Sequence, residues 1–332
     1  MKNLALIIPF SIPPSGLEKD LLRNLNTPAT ASLLGWAERQ RHPDLDAFAR
    51  ALPHEYWLTG RFPPESTLQS PSYITPQHLQ AHSALREGYW FSLQPVHIHI
   101  ARDHLVLTDL RQLALTDEHS SQLFAIASKT AQEYGLELLA HDSSHWFLRA
   151  DQWRDLKTAT PDAACGHNID VWMPQGESAR AWRKFQNEVQ MQWFEHEVNQ
   201  RRELSGLKPV NSLWLYGGTT PENLNASTVT ETDVPHWLSA HCQPTQSGLW
   251  HYDALISTAL NSDWASWLDH FHAMEQHLMQ PALDALNSGE IDSLRLICTD
   301  TRRCVEFHIR RSSKWKFWKK PSLSPLFEGL AA

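Results

Sequence analysis

The sequence predicts an α/β fold: a mostly parallel sheet with helices on both faces, carrying a small α+β insertion. Three observations lead there. Apolar runs of strand length recur between long amphipathic helical stretches. One run, Val210 to Tyr216, is apolar on both alternating faces, as a strand buried on two sides must be. From Tyr89 to Ala150 the period changes to two on either side of a single helical stretch, which makes a unit with its own core. The expected division is a core of residues 1–59 and 166–332 around an insertion of residues 60–165.

Taken in order, Leu4–Ile8 is the first strand, and helical stretches run on through Phe62. Within them "LNTPATASLLGWAERQ" offers Thr27 as a cap and Pro28 in a first turn. "GRFPPESTLQSPSYITP" has the proline and serine content of a linker. "YWFSLQPVHIHIARDHLVL" alternates about a turn at Arg102-Asp103, Asp117 to Tyr134 is helical, and "LELLAHDSSHWFLRA" is a hairpin turning at Asp142-Ser143-Ser144. Glu177 opens a long helix whose Trp182, Phe185, Val189 and Trp193 share one face. After the strand ending at Gly217 come a strand near Leu249–Leu255, a helix around Trp264–Leu286, and the strands "SLRLICTD" and "CVEFHIR".

The 332 residues are 42% apolar and 20% charged, the composition of a globular chain with room for two domains. No window approaches the roughly 18 apolar residues of a membrane span. "MKNLALIIPFSIPP" reads as a strand and not as a secretion signal. Cys165, Cys242, Cys298 and Cys304 match no zinc or redox spacing, so reduced thiols and a cytoplasmic location are expected. The net charge of −8 argues against a general attraction for nucleic acid. Residues 310–320 run against it: Arg310, Arg311, Lys314, Lys316, Lys319 and Lys320 alternate with Trp315, Phe317 and Trp318. Such a tail either contacts an anionic surface or docks its aromatics on the domain and leaves the lysines in water.

The stretch most like a site is "VNSLWLYGGTTP". Ligands of open α/β sheets sit at the carboxyl ends of strands, where Gly217 and Gly218 would let backbone approach an anion. Thr219 or Thr220 would then cap a helix opened by Pro221 and Glu222. The alternative is a tight strand end with no ligand. Three further sets carry ligand or nucleophile types. His97, His99 and His104 lie around one turn and could hold a metal, or form the polar side of a strand. His270 and His277 share a helix face with no acid to complete a set. Cys165, His167 and Asp170 would suit a nucleophile and base only if the fold brings them together.

The run "HEVNQRRELSGLKPVNSLWLYGG" resembles archaeal-type cofactor-independent phosphoglycerate mutases, members of the alkaline phosphatase superfamily, at His196, Asn199, Arg202, Gly206, Asn211 and Gly217. Glu197 stands where that family has proline, and the likeness extends over roughly residues 95–218. The whole chain also resembles a group of bacterial proteins described either as phosphoglycerate mutases or as RpfE-type regulatory proteins. The resemblance implies an alkaline phosphatase-like core with two divalent metals, a Ser or Thr nucleophile, an Asp ending strand one, an Asp-x-x-x-His and a late Asp-His. Here strand one ends Ile8-Pro9-Phe10, Asp253 is followed by Ser257 and Asp263 by Trp267 at that spacing, and Asp300 is followed by Thr301. The expectation is a degenerate frame without cofactor that binds a small phosphorylated or carboxylated metabolite, as a regulatory or sensing protein. Arg202 would pair the anion, Asn199 and Asn211 would orient it, and Gly217-Gly218 would approach it. Two alternatives stay open: an active mutase or phosphatase holding two ions such as Mn or Zn through displaced ligands, and an interaction protein using the basic tail.

Overall fold

A computed structural model describes residues 3–75, 78, 81–223, 235–245, 249–315 and 319–327. Its strands are β1 (Asn3–Ile8), β2 (Glu38–Arg41), β3 (Trp90–Val96), β4 (Ile98–Ala101), β5 (His104–Leu107), β6 (Glu137–Ala140), β7 (Trp146–Arg149), β8 (Ser212–Thr219), β9 (Gln243–Pro244), β10 (Trp250–His251), β11 (Ser293–Thr299) and β12 (Cys304–Arg310). The chain forms two compact units. The first is drawn from Met1–Ala47, Leu52–Pro64 and Ser227–Ala332, the second from Phe48–Ala51 and Glu65–Ala226.

The first unit holds a six-stranded sheet in the order β2-β12-β11-β1-β10-β9. Its centre is parallel: β1 pairs with β10 on one side and β11 on the other. The flanks are antiparallel, since β12 returns along β11, β2 pairs with β12, and β9 with β10. The sheet is therefore mixed, with the expected parallel character confined to its middle. β2, "ERQR", lies inside a stretch that reads as helical, and all four of its residues are exposed. Charged residues of good helix propensity are here taken into an edge strand by pairing with β12. Leu6, Ile7, Leu33, Trp267, Leu278 and Phe307 are fully buried in this unit.

One buried acid in it has a structural role. The helix Pro28–Trp36 has no side-chain cap from Thr27. Instead Glu275 accepts from Ala29 N at 2.6 Å, Thr30 N at 3.0 Å and Thr30 Oγ1 at 2.6 Å, so a carboxylate satisfies the free N–H groups of the first turn. Glu275 opens a π-helical turn, Glu275–Met279, between the helices Trp264–Met274 and Gln280–Ser288. The predicted single helix thus carries an irregular turn at the residue that caps its neighbour.

The second unit is α+β. An antiparallel sheet in the order β6-β7-β3-β8 is joined by the β4–β5 hairpin. The helices Asp117–Glu133 and Ala179–Phe194 contribute to its core, where Phe91, Trp146, Trp182, Phe185 and Trp193 are fully buried. The hairpins at Arg102-Asp103 and Asp142–Ser144 form as the alternation predicts. The domain boundary differs from the expected one. The long helix and β8 belong to this unit, and β8 is an edge strand antiparallel to β3. Its two-sided burial comes from local cover: Gln186 Nε2 donates to Ser212 Oγ at 3.0 Å and Leu213 O at 2.9 Å, and Trp214 Nε1 donates to Ala159 O at 2.7 Å. Apolar faces on both sides report burial, and an edge strand covered by loops and a helix reads the same as a central one.

Candidate functional site

In the second unit, the matched motif folds into one local device. The helix Ala179–Phe194 ends and a short helix, Glu197–Leu204, begins at once, with His196 Nδ1 accepting from Val198 N at 3.2 Å as its cap. Gly206, at φ 72°, ends it in the left-handed conformation, and Leu207 N donates to Arg202 O at 2.8 Å. Inside this frame Asn199 accepts from Val210 N at 2.8 Å and donates to Val210 O and Trp193 O, both at 2.9 Å. Asn211 treats Ile98 in the same way, accepting from its N at 2.8 Å and donating to its O at 2.7 Å.

Arg202 is 0% exposed. Its guanidinium donates to Lys208 O at 2.9 Å, Ala114 O at 3.3 Å, His119 Nδ1 at 3.1 Å, and Leu113 O. Burial lowers its pKa from the usual arginine value. The ligand role expected of Asn199, Arg202 and Asn211 meets a physical obstacle: these polar atoms are already spent on the protein's own chain.

The glycines are accounted for in the same way. Gly217, at φ 65°, donates its N–H to Ser70 Oγ at 3.0 Å and Thr158 Oγ1 at 3.2 Å. A Cβ there would come within 2.6 Å of Pro71 O, and one on Gly218 within 2.6 Å of the Tyr89 and Phe91 rings. The close approach that the glycines permit is made by the protein itself.

His97 and His99 stack at 6.0 Å with rings 10° from parallel. Their Nδ1 atoms meet Pro209 O at 2.8 Å and Thr108 Oγ1 at 3.3 Å, while His104 turns to Asp103 at 3.0 Å. The expected three-imidazole set is therefore reduced to a pair of parallel rings. The Cys165 thiol is pushed up to about 12, by burial and then by Asp109 and Asp162, which removes the thiolate a nucleophile needs. His167 packs on Trp172 at 6.1 Å. His270 and His277 belong to the first unit, where His277 stacks on His241 at 5.0 Å.

The first unit offers the other place where ligands of such sheets sit, the carboxyl ends of β1, β10 and β11. Two residues beyond the end of β1 lies Phe10, a buried aromatic at φ 54°, whose carbonyl accepts from Trp267 Nε1 at 2.9 Å. The Phe10 ring packs on His54 at 5.8 Å, and His54 stacks on His251 at 6.4 Å. Asp300, just beyond β11, accepts from Arg302 N at 2.8 Å, Arg303 N at 2.6 Å and the Arg303 guanidinium. That guanidinium also donates to Pro13 O at 2.8 Å. The pair His54 and His251 was not singled out from the sequence; the signal available was His251 at the end of an apolar strand.

The basic tail is described only in part, since residues 316–318 lie outside the described residues. Lys319 Nζ donates to Ala37 O at 3.1 Å, Ser322 N to Ala31 O at 2.9 Å, and Leu326 and Phe327 are buried. Among the described residues, no helix is long and apolar enough to cross a membrane.

No family model and no curated protein matches the chain. Among solved structures, it is similar to a cofactor-independent phosphoglycerate mutase from Thermoplasma acidophilum DSM 1728 at 13% identity, over 93% of this chain and 90% of that one, with a TM-score of 0.35. It is also similar to the PH0037 protein from Pyrococcus horikoshii at 14% identity, over 93% of this chain and 87% of that one, with a TM-score of 0.38.

Proposed function

We propose that the chain is a phosphoglycerate mutase-like protein that binds a small phosphorylated or carboxylated metabolite without turning it over, and so acts in regulation or sensing. Phe10 carries the reading. Where the resembled family places a metal-binding carboxylate after strand one, this chain has a buried ring packed on His54. Asp300 supports it, because a carboxylate already accepting from two backbone N–H groups and a guanidinium has little left to give a cation. The His251 imidazole at the end of β10 would be the principal contact of a singly or doubly charged anion, with His54 of the helix Pro53–Leu58 stacked behind it. A melting-temperature titration with 3-phosphoglycerate tests this. The parent should gain stability with ligand concentration, less so in high salt, and His251→Gln should lose most of the gain. An equal gain in parent and variant moves the site elsewhere.

A second reading, an active phosphomutase or phosphatase with a rebuilt ligand set, is favoured by one observation. His54 and Glu55, ligand types both, are 1% and 3% exposed on the helix Pro53–Leu58, which packs against β1. On this reading these two side chains would contribute to the rebuilt set.

A further inference from the structure

The helix Ala179–Phe194 has two faces of different kinds. Trp182, Phe185, Val189 and Trp193 belong to the core of the second unit. Arg180, Arg183, Asn187, Gln190, Met191 and Phe194 are exposed, and their spacing of three and four residues keeps them in one stripe on the opposite side. A face meant only for water would be polar throughout. Here Met191 is 73% and Phe194 79% exposed. With Asn187, Gln190 and Glu195 they line an open groove of about 590 Å³.

The charges on this helix say what kind of partner fits. A lone helix is stabilised by acids near its N-terminus and bases near its C-terminus. This one has no acid in its first turn and no base in its last. Its cations, Arg180, Arg183 and Lys184, all fall in the first half, while Glu188 lies in the second half and Glu195 forms the C-cap. Lys184 is placed over the Tyr134 ring at 5.5 Å. A charge order that opposes the helix's own dipole is the right one for an antiparallel neighbour of the same sequence, whose acidic end then comes to the Arg180 end and whose dipole runs the other way.

We propose that this face binds a second copy of the chain, as an antiparallel pair of the helix Ala179–Phe194 across a twofold axis at Asn187. The stripe is self-complementary, as a twofold interface requires. Arg180 and Phe194 stand equally far from Asn187 in sequence, and so do Arg183 and Met191. Each guanidinium therefore meets an apolar side chain of the other copy, Arg180 on the Phe194 ring with Glu195 beside it, and the two Asn187 amides meet on the axis. Phe, Met and Arg are the types that interface cores favour. A helix about 24 Å long laid along its copy covers on the order of 1,000 Å² in total, the low end for a specific interface. The dimer is accordingly weak and concentration-dependent, and it does not rest on any ligand of the first unit.

Sedimentation equilibrium of the full chain over a concentration series tests this. The parent should pass from monomer to dimer by about 100 μM. Phe194→Glu should raise the dissociation constant at least about tenfold, and so should Arg180→Glu and Glu195→Arg taken singly. These residues are exposed, so each variant should keep the parent's urea midpoint. The exchanged pair Arg180→Glu/Glu195→Arg should recover dimerisation, because the antiparallel register sets one against the other. A parent that stays monomeric leaves the face to some other protein and overturns the assignment. A dimer that Phe194→Glu does not weaken, or single charge variants that the exchange fails to rescue, would overturn it as well.

Discussion

Asn199 pairs with Val210 as one strand pairs with another: its amide accepts from Val210 N at 2.8 Å and donates to Val210 O at 2.9 Å. The side chain thereby fixes the chain's entry into β8 from the end of the helix before it. Arg202, one turn further on, ties the same helix to the loop ahead of Asp117–Glu133 through Leu113 O and Ala114 O. The residues that most resemble a binding motif thus form the joint between two helices, a loop and a strand.

Removing that joint should be costly without any ligand. Arg202→Ala leaves several buried carbonyls unpaired, and a loss of about 3–5 kcal/mol is expected in urea unfolding. Asn199→Ala should cost about 1–3 kcal/mol for the stranded Val210 groups. Variants as stable as the parent would return both residues to candidacy as ligand contacts.

Acid should destabilise the second unit before its carboxylates titrate. Burial, the largest cause, lowers the His97, His119 and His167 pKa values from 6.5, and Arg202 adds to the effect at His119. The unfolded chain binds protons on these rings where the folded one does not. Their contribution is therefore complete above about pH 6.5 and is lost as pH falls below it. Urea midpoints measured across that range should decline; a flat profile would contradict the lowered pKa values of these rings.

The four thiols should be inert in the native chain. Burial pushes Cys165, Cys242, Cys298 and Cys304 each up to about 12, so almost none is thiolate at neutral pH. An aromatic disulfide reagent should label none of them until denaturant is added, and then all four. Fast labelling of Cys165 in the folded protein would reopen its pairing with His167.

The tail should act as part of the first unit. Deleting residues 312–332 removes most of the basic and aromatic run together with the buried Leu326 and Phe327, and should lower stability by about 3–5 kcal/mol. A truncated chain as stable as the parent, but with weaker salt-sensitive binding to acidic vesicles, would favour the surface-contact alternative.

Strand and helix positions in the second unit were legible because its amphipathic periods are strong, as in Asp117–Glu133 and the Asp142–Ser144 hairpin. The membership of β8 was not, because alternation records burial and is silent on which sheet supplies it. β2 was hidden by helix-forming residues that only pairing with β12 turns into a strand. Gly217 and Gly218 signalled a close approach correctly, but the sequence does not say that Pro71, Tyr89 and Phe91 make it.

The central claim, binding without turnover, is tested most directly by an assay. The chelator-stripped full chain, reloaded with Mn2+ or with Zn2+, is incubated with 3-phosphoglycerate, and formation of 2-phosphoglycerate and of free phosphate is followed. With Phe10 closing β1 and Asp300 held by Arg302 and Arg303, neither product should form above the protein-free rate with either ion. Conversion that depends on added metal, stops with chelator and is lost in His54→Asn would contradict the claim and establish a rebuilt catalytic centre.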